Sequence, residues 1–341
     1  MHIRSSQALA AVLLCLAGLA QAEPGNTGRD AVINEALAKI RDDYVHPDKF
    51  AAIEKNVRAH QASGEYEAAA DDKEFAKLLT THLQEVSQDK HMNLRFQANA
   101  RTLRPAAFQS TPAQREQERR ENYGFRRVEV LPGNVGYIDT AYFHDDVKFS
   151  GATIAAAMAF LANTDALIID LRNNRGGGEA MQMLASYLIQ GKVELMRLQY
   201  RRQGTMHAMT HDKLPGKRYL GKPVYVLTSG RTFSAGEAFA YALQGLKRAT
   251  LVGTTTRGGG NPNELVPVGS DFVLSVPIGE SISPVTGTSW EGVGVKPDVA
   301  VDEKEALGHA HRQALQALQE ATRDEARRAD LAKALEASAR L

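Results

Sequence analysis

The run Ala166-Leu167-Ile168-Ile169-Asp170-Leu171 leads directly into Arg172-Asn173-Asn174-Arg175-Gly176-Gly177-Gly178, and this junction constrains the fold more than any other stretch. Its apolar residues do not alternate with polar ones, so neither face of such a strand suits water. The glycines permit a tight turn, and Ala180 to Ile189 then reads as a helix. A second junction repeats the order: Val224 to Thr228, a turn over Ser229 to Ser234, and a helix over Ala235 to Leu246. Further strands are predicted at Arg127–Val130, Val135–Ile138, Val193–Leu198, Thr250–Val252 and Val273–Val276, with a helix at Ala152–Leu161. Buried strands joined by helical crossovers define an α/β core, predicted to span residues 123–302.

The flanking segments differ in pattern. Residues 23–98 read as a small helical N-terminal domain. Ala31-Val32-Ile33, Leu37 and Ile40 recur at helical spacing, as do Phe75, Leu78-Leu79, Leu83 and Val86. Gln61 to Asp72 is a polar, alanine-rich loop between them, and a short strand is predicted at Met92–Phe96, after Asp89-Lys90-His91. Residues 99–122, with Pro105, Pro112 and the charged run Arg115 to Glu121, read as a linker or a solvated helix. Residues 303–341, rich in Ala, Leu, Glu and Arg, form a C-terminal helical extension.

Residues 1–22 have the layout of a secretory signal peptide: Arg4, the apolar run Ala8 to Ala17, and Ala20-Gln21-Ala22 as a cleavage site. The run is short for a membrane span, so a retained anchor is the lesser reading. The expected location is periplasmic or secreted, with no integral membrane segment after cleavage. Cleavage removes Arg4, taking the formal charge from +1 to 1 − 1 = 0, and removes Cys15, the one cysteine. The remaining chain has no disulfide and no thiolate nucleophile or metal ligand. Near-zero charge argues against nucleic acid as a partner, and 43% hydrophobic residues over 341 positions suffice for a real core.

Three stretches could carry chemistry. The glycines at 176–178 expose backbone N–H groups beside a helix N-terminus, which suits an oxyanion or simply makes a tight turn. The segment has neither nucleotide-binding glycine spacing. Ser234, at the start of the next helix, could present a nucleophilic hydroxyl with the Ala235 N–H as oxyanion donor. Ser234-x-x-Glu237 is equally a capping box, and the G-x-S-x-G elbow is absent. Third, Glu291 follows Trp290 in the turn Pro284 to Asp298, where it could orient a catalytic histidine or be an exposed acid.

Taken together, Asp170 to Gly178, Thr232-Phe233-Ser234-Ala235-Gly236-Glu237 and Trp290-Glu291-Gly292-Val293-Gly294-Val295-Lys296-Pro297-Asp298 resemble the S41 peptidases over roughly residues 30 to 302. That family includes C-terminal processing proteases, tricorn core domains and retinoid-binding-protein repeats. The resemblance implies a ClpP/crotonase-like α/β core and acyl transfer without cofactor or metal. Its lysine branch places a lysine about 25 residues after the serine, but here Gly253 to Asn261 contains none, and Lys247 falls on the helix after Ser234. Room for a PDZ domain between Phe96 and the α/β core is also lacking. The tricorn-like branch uses histidine and a late glutamate, and Asp89-Lys90-His91 and Glu291 resemble those segments.

The implied site is therefore Ser234 as nucleophile, His91 as base and Glu291 as its orienter, with Gly176 and Ala235 N–H groups as the oxyanion hole. His144 is the rival base. His207 and His211 could pair on a metal only if helical, and no clear third ligand accompanies them. The implied substrate is a peptide or unfolded protein, and domain closure would assemble the site if His91 belongs to the N-terminal domain. A non-catalytic module for a lipid-like ligand is the rival from another class, and crotonase-type acyl-CoA chemistry is a third reading. Oligomeric state is not set by these residues.

Overall fold

The computed structural model describes residues 26–102 and 111–338. The expected signal peptide, with Cys15, lies outside them. Among the described residues, the central sheet has the order β12-β8-β7-β4-β3-β2. These strands are β2 (Phe125–Leu131), β3 (Val135–Thr140), β4 (Ala166–Asp170), β7 (Val224–Thr228), β8 (Thr250–Gly253) and β12 (Val299–Ala300). All neighbours pair parallel except β2 with β3 at one edge.

The unbroken apolar runs of β4 and β7 follow from this position, since every residue of both is buried. Alternate side chains enter opposite cores. Ile138, Leu167, Ile169, Val226 and Leu251 pack with helices α5 (Val147–Phe160), α6 (Ala180–Leu188) and α7 (Ala235–Gly245). Val135, Tyr137, Ile168, Tyr225, Leu227 and Val252 face α8 (Ala306–Ala321) and α9 (Glu325–Ser338). The C-terminal extension thus covers one face of β3, β4, β7 and β8. Its Ala306, Ala310 and Ala314 let α8 lie close to the strands.

The N-terminal unit has its own core. Helices α1 (Asn26–Asp43), α2 (Phe50–Ala62) and α3 (Asp72–Ser87) bury Ile33, Ile40, Ile53, Val57, Phe75, Leu79 and Leu83. Asp71 caps α3, its carboxylate accepting from the Lys73 and Glu74 N–H groups. This unit is not closed by residues near it in sequence alone. Its strand β1 (Asn93–Phe96) pairs with β10 (Phe272–Pro277), which pairs with β9 (Asn263–Val268). Val268, Phe272, Leu274 and Val276 complete the helical core.

A third sheet, in the order β11-β5-β6, joins Gly279–Ile282, Glu194–Tyr200 and Gly204–Met209. From its β5–β6 turn, Arg201 donates to the Tyr44 carbonyl at 2.8 Å, tying the end of α1 to this sheet. Helix α4 (Pro112–Arg120) lies in the stretch read as linker or solvated helix. It opens with Thr111, whose hydroxyl accepts from the Gln114 N–H. No helix among the described residues is long and apolar enough to cross a membrane.

The sequence pattern misses β9 because Pro267 interrupts it. Proline is tolerated there because β9 is an edge strand. Because the helical core needs β9 and β10, an isolated fragment of residues 26–102 is expected to show no cooperative thermal transition by circular dichroism. A sharp transition in that fragment would mean the hairpin is dispensable.

Candidate active site

Strand β7 ends at Thr228, and the turn that follows is stitched onto the glycine turn after β4. The Ser229 hydroxyl donates to the Arg172 carbonyl at 2.6 Å and Thr232 Oγ1 to the Leu171 carbonyl at 2.8 Å. The Phe233 N–H donates to the Asn174 carbonyl at 3.0 Å. These bonds force Ser234 into φ 53°, ψ −121°, a conformation an L-residue holds only when its surroundings impose it. The half-buried serine is thereby turned out at the N-terminus of α7.

The glutamate of the predicted capping box has a larger role than a cap. Glu237 is fully buried. Its carboxylate accepts from Ser234 N–H at 2.9 Å, Thr256 Oγ1 at 2.5 Å, Gly258 N–H at 2.6 Å and Gly259 N–H at 2.9 Å. Burial pushes its pKa up, and those four bonds oppose the rise. The serine turn and the loop after β8 are thus held by one carboxylate.

The glycine turn abuts the serine. Gly176 has φ +94°, and a Cβ there would lie 2.6 Å from Ser234 Cβ. A Cβ on Gly177 would lie 1.7 Å from the Phe143 carbonyl oxygen. The Gly176 N–H, expected from the resemblance to help bind the oxyanion, donates to Asn174 Oδ1 at 2.9 Å. Among the described residues, the N–H groups of Gly177 and Ala235 have no such acceptor, and both residues line the same cleft as Ser234. That cleft, about 280 Å³, is walled by Met181, Met196, Leu198, Ala208, Ala238 and Trp290.

His91 reaches this region from the segment after α3. Its ring stacks on Phe233, with centroids 4.5 Å apart. Asp89 fixes the segment: its Oδ1 accepts the His91 N–H at 3.0 Å and its Oδ2 accepts from Asn261 Nδ2 at 2.8 Å. Glu291 Oε2 accepts the N–H groups of Gly260 and Asn261. A His91 ring nitrogen and carboxylate oxygens of Asp89 and Glu291 all lie within 4.8 Å of one another. His91 Nδ1 and Glu291 Oε1 are both buried without a hydrogen-bond partner among the described residues. Such a donor set could also accept a cation.

Burial, and then the Arg257 charge, lowers the His91 pKa to about 4. Burial, and then the charge of Asp89, raises that of Glu291 to about 7. No hydrogen bond joins Ser234 Oγ to His91 among the described residues. The link between them runs through Phe233.

The other candidates lie elsewhere. His144 Nε2 is 3.3 Å from Glu118 of α4, and its Nδ1 faces the Asp146 backbone. His207 lies on β6, bound through Nδ1 to Glu194, so the helical spacing that a pair with His211 required is not met. Lys247 lines a cavity with Lys222 and Val224, at the start of β7, whereas Ser234 follows its other end. Asp89 and Asn261 were not singled out from sequence. The available signal was the position of Asp89 two residues before His91.

Residues 134–301 match peptidase family S41, and residues 27–131 match the N-terminal domain of Peptidase S41 in eukaryotic IRBP. The chain belongs to peptidase family S41. The S41 chain is 32% identical over 184 residues to a carboxy-terminal-processing protease of Bartonella bacilliformis, covering 51% of this chain and 40% of that relative. It therefore spans well under two thirds of that protein's length. The fold of a lipoprotein from Streptococcus agalactiae is similar at TM-score 0.55 and 15% identity, covering 91% of this chain and 100% of that one. That of the photosystem II D1 C-terminal processing protease is similar at TM-score 0.50 and 17% identity, covering 82% and 94%. These two likenesses bear on the S41 fold alone.

In the S41 chain, Glu237→Ala strands four donors around the serine turn. It is expected to lower unfolding free energy by about 3 kcal/mol or more, read from urea denaturation. A loss under about 1 kcal/mol would show that water replaces the carboxylate.

Proposed function

We propose that this protein is an exported serine peptidase that cleaves peptide bonds through an acyl-enzyme on Ser234. The observation that carries the reading is one cleft holding a strained, outward-turned Ser234 beside the open N–H groups of Gly177 and Ala235. His91 and Glu291 stand next to it across Phe233. Ser234 Oγ attacks the substrate carbonyl while His91 takes its proton, and Glu291 holds the imidazolium through the Nδ1 and Oε1 atoms. The imidazolium gives that proton to the amine as the C–N bond breaks, and water, deprotonated by His91, then hydrolyses the acyl-enzyme and frees Ser234. Gly177 and Ala235 N–H groups receive the oxyanion, each such donor being worth on the order of 10²–10³ in turnover. A closing movement of the N-terminal unit, which carries His91, brings the base onto Ser234. The substrate is a peptide or unfolded protein, with an apolar side chain in the 280 Å³ cleft.

The same apolar walls support a second reading, a module that holds a lipid-like ligand without chemistry. A fluorophosphonate probe separates the two. Intact-mass and peptide spectra are expected to show one adduct on Ser234, absent from Ser234→Ala and sharply reduced in His91→Ala. The same spectra are expected to place the N-terminus of the exported chain at Glu23, as a signal peptide requires. Failure of the wild type to label would favour the ligand-binding reading, and a chain retaining residues 1–22 would refute cleavage.

The two ionisations set the pH dependence. His91 stays neutral above about pH 4, while Glu291 loses its proton only as pH rises through about 7. The ionised glutamate then raises the basicity of the imidazole beside it. Peptidase kcat/KM is therefore expected to climb through about pH 7. Glu291→Gln is expected to lose that limb and on the order of 10⁴ in kcat. An unchanged profile in the glutamine variant would remove Glu291 from the mechanism.

A further inference from the structure

A second group of metal-binding side chains lies in the N-terminal unit, away from the serine. His60, at the end of α2, and His82, on α3, stack face to face with centroids 3.5 Å apart. Glu65, in the turn between these helices, faces both: Oε2 is 2.6 Å from His60 Nδ1, and Oε1 is 3.6 Å from His82 Nε2. One ligand atom from each of the three residues falls within 4.8 Å of the others. Glu85, one helical turn after His82, places Oε2 4.0 Å from His60 Nε2.

The electrostatics of this group are incomplete. Among the described residues, no Lys or Arg pairs with Glu65 or Glu85, and the basic groups facing them are the two imidazoles. Two carboxylates thus face a stacked pair of imidazole rings. His82 is 4% exposed, and among the described residues its Nε2 makes no hydrogen bond, lying 3.6 Å from Glu65 Oε1. The Tyr66 hydroxyl, 2.9 Å from His82 Nδ1, holds the ring from its other edge, as the outer partners of metal-bound histidines do. His60, Glu65 and Glu85 are partly exposed and leave a path from solvent.

We propose that His60, Glu65, His82 and Glu85 form a binding site for a divalent transition metal of the Zn²⁺ class, clamping α2 to α3. Two imidazoles and two carboxylates match the tetrahedral N/O donor set of zinc, with bonds of about 2.0–2.2 Å. An ion must lie in the plane of each ring that binds it, so the parallel stack opens on binding. His60, half-exposed at a helix end, is the ring that tilts. The clamp bears on the catalytic half because α3 ends at Ser87, just before Asp89 and His91.

The purified protein is titrated with ZnCl₂ at pH 7.5, bound metal is counted after dialysis, and Co²⁺ absorption is recorded. The wild type is expected to hold one equivalent with visible tetrahedral Co²⁺ bands and a raised melting temperature. His91→Ala is expected to keep the metal, the bands and the shift. The double variant His60→Ala, Glu65→Gln, altered at partly exposed positions, is expected to lose all three, and Glu85→Gln to weaken Zn²⁺ binding by 10-fold or more. Metal lost in His91→Ala but kept in the double variant would place the ion in the Asp89–His91–Glu291 cluster and overturn the proposal. Absence of wild-type binding at 100 µM Zn²⁺ would do the same.

Discussion

The buried carboxylate of Glu237 is the interaction on which the rest of the site depends. An ionised group with no access to water must be surrounded by donors, and here they come from two separate turns. One is the Ser234 N–H, so the charge helps hold the serine in its unfavourable backbone conformation. The others are Thr256, Gly258 and Gly259, which fix the loop after β8. The next two residues of that loop, Gly260 and Asn261, supply the N–H groups that hold Glu291. Asn261 also donates to Asp89, which in turn holds the backbone of His91. A single chain of contacts therefore runs from the serine helix to the proposed base.

The second constraint is topological. The loop after β8 continues into β9 and β10, which fill the core of the N-terminal unit. The segment that positions Glu291 and Asp89 is thus anchored at one end by Glu237 and at the other by the helical core of the unit that carries His91. Any shift of the N-terminal unit acts on the loop as well as on the imidazole. This gives a physical route by which closure could alter both the distance to Ser234 and the hydrogen bonds of the acids.

Much of the core was legible because strands buried on both faces leave a composition that little else explains. The runs at 166–169 and 224–227 and the glycines after the first of them mark the central strands and their crossovers directly. The place of Ser234 at the start of α7 was legible for a similar reason, since the strand–turn–helix order around it is written in the local pattern. The hydrogen bonding within the glycine turn was not legible. The side chain of Asn174, two residues earlier, accepts the Gly176 N–H, and nothing in residue spacing reveals that bond. Strand β6 was missed for a related reason, a short polar segment with no strong period, and it leaves unmet the helical spacing on which a metal pair of His207 and His211 was conditional.

Residues close in the chain wrote their own structure: the strand–turn–helix junctions, the cap of α3, and the unbroken apolar strands of a sheet covered on both faces. These depend on backbone sterics and on burial patterns that repeat within a few residues. The meeting of His91 with Glu291, the sharing of Glu237 between two loops, and the completion of a helical core by a hairpin from positions 263–277 were decided only in three dimensions. They join segments separated by up to about 240 residues. The energy that selects them comes from burying charge and apolar surface together, a property of the assembled core rather than of any one segment.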